Sequence, residues 1–192
     1  ILDDDVPVRD ALYDDVTIIS INYLTDRKKL INYLPLPFEL DGPPIVTVAY
    51  SMNRDISWLA GGHYNIITVS ARARYPGEND QVSGNFAFVL WENLTEPILP
   101  GREQQGMPKV FGEIHDHREH NGTWSTTLSN NGKTMLDIEA SGLKELTDAD
   151  FERFQSDNGE VNLLRWKYIP NETRSAAILS YATLFPFSYD FR

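Results

Sequence analysis

One lysine in this sequence stands where a reactive amine could be built. It closes the run Gly101-Arg-Glu-Gln-Gln-Gly-Met-Pro-Lys109-Val110, which lies between two candidate strands. The run holds two glycines, a fixed proline and a single lysine at the start of a strand. A lysine placed there points wherever its strand points. Turned inward, it enters an apolar cavity, where burial disfavours the ammonium form, lowers the pKa and leaves a neutral amine near about pH 7. A neutral amine in a dry pocket attacks a ketone and forms a Schiff base. Turned outward, Lys109 is a surface residue after a turn. Residue types alone leave both orientations open.

A second group of chemistry-bearing residues is the run His115-Asp116-His117-Arg118-Glu119-His120. On a strand His115 and His117 share a face, and imidazoles spaced that way bind zinc. The run leads straight into Asn121-Gly122, which puts it at a hairpin tip. It therefore reads as a solvated strand end, and no metal site is expected. Asp3, Asp4 and Asp5, with Asp14 and Asp15, read as solvated charge. No loop has the oxygen spacing that calcium needs. No glycine-rich phosphate loop precedes a helix, and no nucleophile elbow surrounds a serine. No cofactor is expected.

The elements that must position Lys109 read as mostly β, with two or three short helices. Val16 to Tyr23 (VTIISINY) is rich in β-branched residues and predicts a strand. A helix follows from Asp26, with Leu30, Ile31 and Leu34 on one face, ended by Pro35. The stretch from Leu34 to Leu40 is extended, because residues before prolines avoid the α region. Ile45 to Tyr50 is a strand, followed by a loop holding Arg54, Trp58, Gly61 and Gly62. Tyr64 to Ala73 alternates as a strand. Ser83 to Trp91 is apolar on both faces, as in a barrel wall or a sandwich centre. A three-strand meander spans 110–118, 123–129 and 133–140, turned by Asn121-Gly122 and Asn131-Gly132. Thr147 caps a short helix to Phe154, and Leu163 to Tyr168 is a strand. Ser175 to Pro186 fits strand or helix equally.

Composition bounds the rest. The 192 residues make a single domain, 1–192, with 41% hydrophobic and 11% aromatic residues to fill a core. The chain begins without Met, and the domain is expected to be cut short at one or both ends. Lys and Arg number 17 against 28 Asp and Glu, a net charge of -11. A field of that sign repels phosphate backbones and anionic lipid, so neither nucleic acid nor membrane is an expected partner. With no cysteine, disulfides, thiolate metal sites and thiol nucleophiles are excluded. No apolar run reaches membrane-spanning length, and no signal-peptide pattern opens the chain. Sequons start at Asn93, Asn121 and Asn171, but the chain reads as cytoplasmic.

The run from Gly101 resembles the Gly-Arg-Glu…Gly-Phe-Pro-Lys-Lys signature of the acetoacetate decarboxylase family: Gly101-Arg-Glu, two residues, then Gly106-Met-Pro-Lys109. Tyr23-Leu-Thr-Asp26 with Leu34-Pro35 is similar to a second family stretch. Gly62-His-Tyr-Asn65 resembles its Gly-x-Tyr-x-Glu strand, and Lys167-Tyr-Ile-Pro170 a late segment. Glu113-Ile114 through Gly132 to Gly142-Leu143 fits its meander. The likeness covers roughly residues 15 to 170, with its sharp motif at Lys109. It implies an α+β fold, mostly antiparallel, built as a cone-shaped, partly open β-barrel with a few flanking helices. It also implies a catalytic Lys109 in the barrel cavity, a small keto substrate and assembly as a homo-oligomer. Acetoacetate decarboxylase is the standard example of a lysine activated by a neighbouring cation.

Three departures bear on that implication. Val110 replaces the neighbouring lysine, Ile66 the acid of Gly-x-Tyr-x-Glu, and Val16 an arginine of the first strand. An imine at Lys109 also serves aldol, retro-aldol or dehydration chemistry, which needs a proton shuttle. Tyr64, His63 and Gln105 are candidates, with Gln105 orienting a substrate carboxylate or a water. Tyr64 reads equally as a barrel-wall residue, and His63 as a loop histidine. Tyr64, Gln105, Arg102 and Glu103 are candidates to bind substrate, with Arg102 and Glu103 reading equally as a pair that braces the loop. The expected function is a Schiff-base lyase acting on a small keto acid or β-keto compound. The alternative from another class is a small-molecule binding protein with a passive lysine in the same cavity.

Overall fold

The computed structural model describes residues 11–191. The β-branched first run forms β1 (Tyr13–Leu24). Asp26 then caps α1 (Arg27–Ile31), its carboxylate accepting from the N–H groups of Lys28 at 2.7 Å and Lys29 at 3.1 Å. Those bonds satisfy donors that a helix start leaves open. Leu30 and Leu34 are buried, but Ile31, expected beside them, is 45% exposed. The helix ends at Ile31, so Leu34 reaches the core through a turn and no continuous helical face is built.

After β2 (Glu39–Leu40), β3 runs through Ile45–Ile56. Arg54, expected in a loop, therefore lies in a strand, held there by pairing of β1 along its length. A short turn, Ser57–Leu59, leads to β4 (Gly62–Pro76) and β5 (Gln81–Glu92). Next come α2 (Thr95–Glu103) and the brief β6 (Lys109–Phe111). The strand expected over 110–118 is broken into β6, β7 (Glu113–Ile114) and β8 (Arg118–His120). The break falls at Gly112, where the chain leaves one sheet for another and its N–H donates to the Glu92 carbonyl at 3.0 Å.

β9 (Thr123–Asn130) and β10 (Lys133–Ala140) complete the meander. Asn121-Gly122 and Asn131-Gly132 turn with positive φ at both residues, as two-residue hairpin loops require. Thr147 caps α3 (Asp148–Asn158), and β11 (Glu160–Pro170) follows. The ambiguous C-terminal run is β12 (Ala177–Ser188), paired along its length with β11.

The large sheet has the order β1-β3-β4-β5-β11-β12, with β2 on β4 and β6 on β5. Neighbours are antiparallel except where β11 and β6 meet β5. Those two short parallel contacts share one edge of β5, β11 at Asn85 and Phe86 and β6 at Leu90 to Glu92. Among the described residues the path is not closed between β1 and β12, so the barrel is partly open, and the fold is mostly antiparallel with few helices. A second sheet has the order β10-β9-β7, with β8 on β9.

One face of the large sheet carries two apolar clusters. Leu30, Leu34, Phe38 and Phe86 pack around α1, while Ile19, Tyr50 and Ile67 meet Leu128 and Ile138 of the second sheet. The opposite face carries Ala87, Leu90, Met107 and Leu163, with Ile66, Phe185 and Phe187 against them. A register shift between the Val69 and Ser70 pairings puts Phe86 and Leu90, four residues apart, on opposite faces of β5. The second of these faces holds the site.

Candidate active site

Lys109 opens β6 directly opposite Leu90 of β5, and its side chain turns inward, 7% exposed. That orientation is the one a reactive amine requires. Side chains alternate along a strand, so Glu92, two residues beyond Leu90, shares the face of Lys109. Ile66 pairs with Glu92 across β4, and Tyr64 lies two residues before it. Register thus gathers Lys109, Glu92, Ile66 and Tyr64 on one side of the sheet.

The Lys109 ammonium lies 2.9 Å from Glu92 Oε1 and donates to the Pro97 carbonyl at 3.0 Å. Glu92 is fully buried, and apart from the Lys109 contact neither of its oxygens finds a donor among the described residues. Burial pushes the Glu92 carboxyl above the usual carboxylate range, while the charge and hydrogen bonding of Lys109 pull the other way. Two charges taken out of water lose several kcal/mol of hydration each (order of magnitude), which their attraction repays only in good geometry. Exchange of one proton between them removes both charges at once.

α2 forms the roof over this pair. Gly101 lies in its last turn, and a Cβ there would sit 2.6 Å from Lys109 Cδ and Cε and 2.9 Å from Nζ. Only a residue without a side chain lets the helix rest on the lysine stem. Gly101, Arg102 and Glu103 were expected in a loop, but they are helical. Pro100 hides the helix from a propensity reading, since proline is a breaker in a helix interior. Gly106 has φ +71°, and a Cβ on it would meet Lys167 Cβ at 2.5 Å. This residue turns the chain into β6 against β11.

The other sequence-derived candidates divide. Tyr64 is 2% exposed, with its hydroxyl 3.0 Å from that of Tyr13. Burial, then Tyr13, then the charge of Glu92, push its hydroxyl far above the usual tyrosine range, so it stays protonated. Arg102 is exposed and donates from NH1 to the Lys109 carbonyl at 2.8 Å, fixing the backbone of the lysine. Glu103 is exposed at the helix end and does not pair with Arg102, whose guanidinium is turned to that carbonyl. Gln105 is half-buried, and its carbonyl accepts from Thr183 Oγ1 at 3.1 Å. His63 faces solvent.

Glu92 is the residue that sequence reasoning missed. The expected strand ended at Trp91, one residue short. Its signal was the alternation itself: with Leu90 inward, the next inward position is a carboxylate.

The histidine run is arranged differently from the expected strand. Residues 115–117 lie between β7 and β8, so His115 and His117 do not share a strand face. Asp116 pairs with Arg54 at 2.8 Å and accepts from Asn65 Nδ2 at 2.9 Å. The Asn65 bond, with Arg54 beside it, holds that carboxyl below its usual value against partial burial. The His117 ring stacks on Trp124 at 4.7 Å, 2° from parallel. Among the described residues, no three His, Asp or Glu side chains gather to hold a metal ion. No helix among them is long and apolar enough to cross a membrane.

Residues 4–191 match the family model described as acetoacetate decarboxylase. The decarboxylase DEC1 of Cochliobolus heterostrophus is 31% identical over 108 residues, which is 56% of this chain and 40% of that protein. The chain therefore spans less than half the length of that curated relative. The fold matches the crystal structure of acetoacetate decarboxylase from Legionella pneumophila with a TM-score of 0.76 and 22% identity, over 93% of this chain and 66% of that one. It matches the enduracididine biosynthesis enzyme MppR complexed with pyruvate with a TM-score of 0.67 and 15% identity, over 92% of this chain and 76% of that one. At those identities the solved structures establish the shared fold.

Proposed function

The chain belongs to the acetoacetate decarboxylase family, and on that premise we propose that it is a lysine-dependent lyase whose Lys109 forms an imine with a small keto acid or β-keto compound. The observation that carries this reading is the buried contact of Lys109 with Glu92 at 2.9 Å. Val110 removes the neighbouring cation that activates the lysine of acetoacetate decarboxylase. A buried carboxyl with a raised pKa supplies another route. It takes a proton from the ammonium, leaving an amine and a neutral carboxyl in the same contact.

The amine then adds to the substrate carbonyl. Glu92 returns its proton to the carbinolamine hydroxyl, which leaves as water and gives an iminium ion beside the carboxylate. For a β-keto acid, the bond to the carboxylate carbon breaks, its electron pair moves to the iminium nitrogen, and carbon dioxide leaves. The resulting enamine takes a proton at carbon, and water hydrolyses the imine. Aldol and dehydration chemistry use the same iminium and enamine. DEC1 is named as a decarboxylase, and MppR has been captured with pyruvate. Both outcomes stay within this proposal.

One observation favours a second reading, a binding protein with a passive lysine. The ammonium is already held by Glu92 and by the Pro97 carbonyl. Turnover separates the two. The protein is incubated with acetoacetate, pyruvate and longer 2-keto and 3-keto acids, and proton NMR follows loss of carbon dioxide, condensation or loss of water. Lys109→Ala is run beside it. Turnover of any member that vanishes in the variant supports the lyase. Saturable binding without turnover across the panel favours the binding protein.

A further inference from the structure

β11 turns three residues inward in alternation: Leu163, Arg165 and Lys167 are all buried. Leu163 packs in the cluster of Leu90 and Met107, so this face of β11 is continuous with the face that carries Lys109. Among the described residues, the buried charged side chains are Glu92, Lys109, Arg165 and Lys167. That is one carboxylate against three cations, in a chain whose net charge is -11. The sign of the interior opposes the sign of the whole.

The single carboxylate is taken by Lys109. Lys167 donates to the Gln104 carbonyl at 3.0 Å. Arg165 has no such settlement. It is 2% exposed, and no carboxylate among the described residues pairs with it. Its Nε donates to Thr183 Oγ1 at 3.1 Å, and its guanidinium carbon lies 5.4 Å from the centre of the Phe185 ring. Its Nη1 has no hydrogen-bond partner among the described residues. A buried donor left without a partner is costly, and a buried unpaired cation more so. Thr183 passes the connection on by donating to the Gln105 carbonyl, in the loop that leads into Lys109.

We propose that Arg165 is the carboxylate-binding residue of this site, holding the acid group of the keto substrate on its unpartnered guanidinium edge. A planar guanidinium with a free N–H fits a carboxylate through charge-assisted hydrogen bonds. The proposal rests on Lys109 as the imine-forming residue and adds that the substrate is an anion at the pH of turnover. An arginine serving the fold alone gives no preference between a keto acid and its ester.

The test compares pyruvate with methyl pyruvate in borohydride trapping, read by intact mass over a concentration series. Wild type, Arg165→Met and Arg165→Lys are compared by the ratio of half-trapping concentrations for the two ketones. Arg165→Met is expected to shift that ratio at least tenfold against pyruvate and to leave methyl pyruvate within twofold of wild type. Arg165→Lys, which keeps the charge without the fork, is expected to fall between. An unchanged ratio in Arg165→Met overturns the proposal. Propionate, which has no ketone, gives a readout independent of the imine when titrated by calorimetry into wild type and Lys109→Ala. Binding in both proteins supports the anion site even if no ketone traps, an outcome that removes the lyase reading alone. Absence of propionate binding in both overturns the anion site, including where Arg165→Met does not fold.

Discussion

Lys109 and Glu92 face each other from neighbouring strands, nitrogen to oxygen at 2.9 Å, with the carboxylate wholly buried and the lysine nearly so. The contact depends on register. β6 places Lys109 beside Leu90, and the alternation of β5 turns Glu92 to the same side. α2 seals the pair from above through Gly101. The proton that an ammonium must lose before it can attack a carbonyl as an amine therefore has a destination within hydrogen-bond distance.

A buried ion pair is sensitive to the loss of one partner. Lys109→Met leaves the buried Glu92 carboxylate without its counter-ion and is expected to destabilise the fold by about 3–5 kcal/mol. Glu92→Gln with Lys109→Met removes both charges and is expected to recover most of that loss. Urea unfolding of wild type, both single variants and the double variant measures the coupling. Simple additivity of the single effects would mean that the contact carries no energy.

The raised carboxyl pKa of Glu92 sets the sign of a pH effect. The folded chain keeps a proton that the unfolded chain releases above about pH 4.3. Its stabilising contribution is fully present below that value and is lost as pH rises through the higher, folded value. Wild type is expected to lose stability relative to Glu92→Gln across that window. Unfolding free energies at a series of pH values check this, and parallel curves would contradict it.

Gly101→Ala adds a methyl group 2.6 Å from Lys109 Cδ and Cε. By helix propensity alone the change favours α2 by about 1 kcal/mol. Any displacement of the amine acts on chemistry, where an error of about 1 Å costs on the order of a hundredfold. The variant is expected to stay folded and to form the imine about tenfold to a hundredfold more slowly. An unchanged imine rate would show that the roof over Lys109 can shift at no cost.

Local signals in the sequence reach part of this arrangement. Asn121-Gly122 and Asn131-Gly132 specify their turns, and Asp26 and Thr147 specify their caps, because those choices are settled within a few residues. Lys109 stands out through the resemblance of Gly101-Arg-Glu and Gly106-Met-Pro-Lys109 to the family signature, since residue types alone leave its orientation open. α2 is not legible, since Pro100 stands against a helix whose Pro97, Ile98 and Gly101 are buried by packing that no local signal announces. Glu92 is lost to an error of one residue at a strand end. Arg165 is hidden for a different reason. Its burial depends on β11 reaching β5 from far along the chain and on Thr183 of β12, and neither pairing has a local signature.

The central claim is that Lys109 forms an imine, and borohydride trapping with intact-mass spectrometry tests it most directly. Acetoacetate, pyruvate and longer keto acids are each incubated with wild type and with Lys109→Ala under reducing conditions. The account expects one stable adduct per chain, equal to the ketone or its decarboxylated product less one oxygen, mapped to the peptide containing Lys109 and absent from the variant. No adduct with any ketone in folded protein, or an adduct of equal yield in Lys109→Ala, would contradict it.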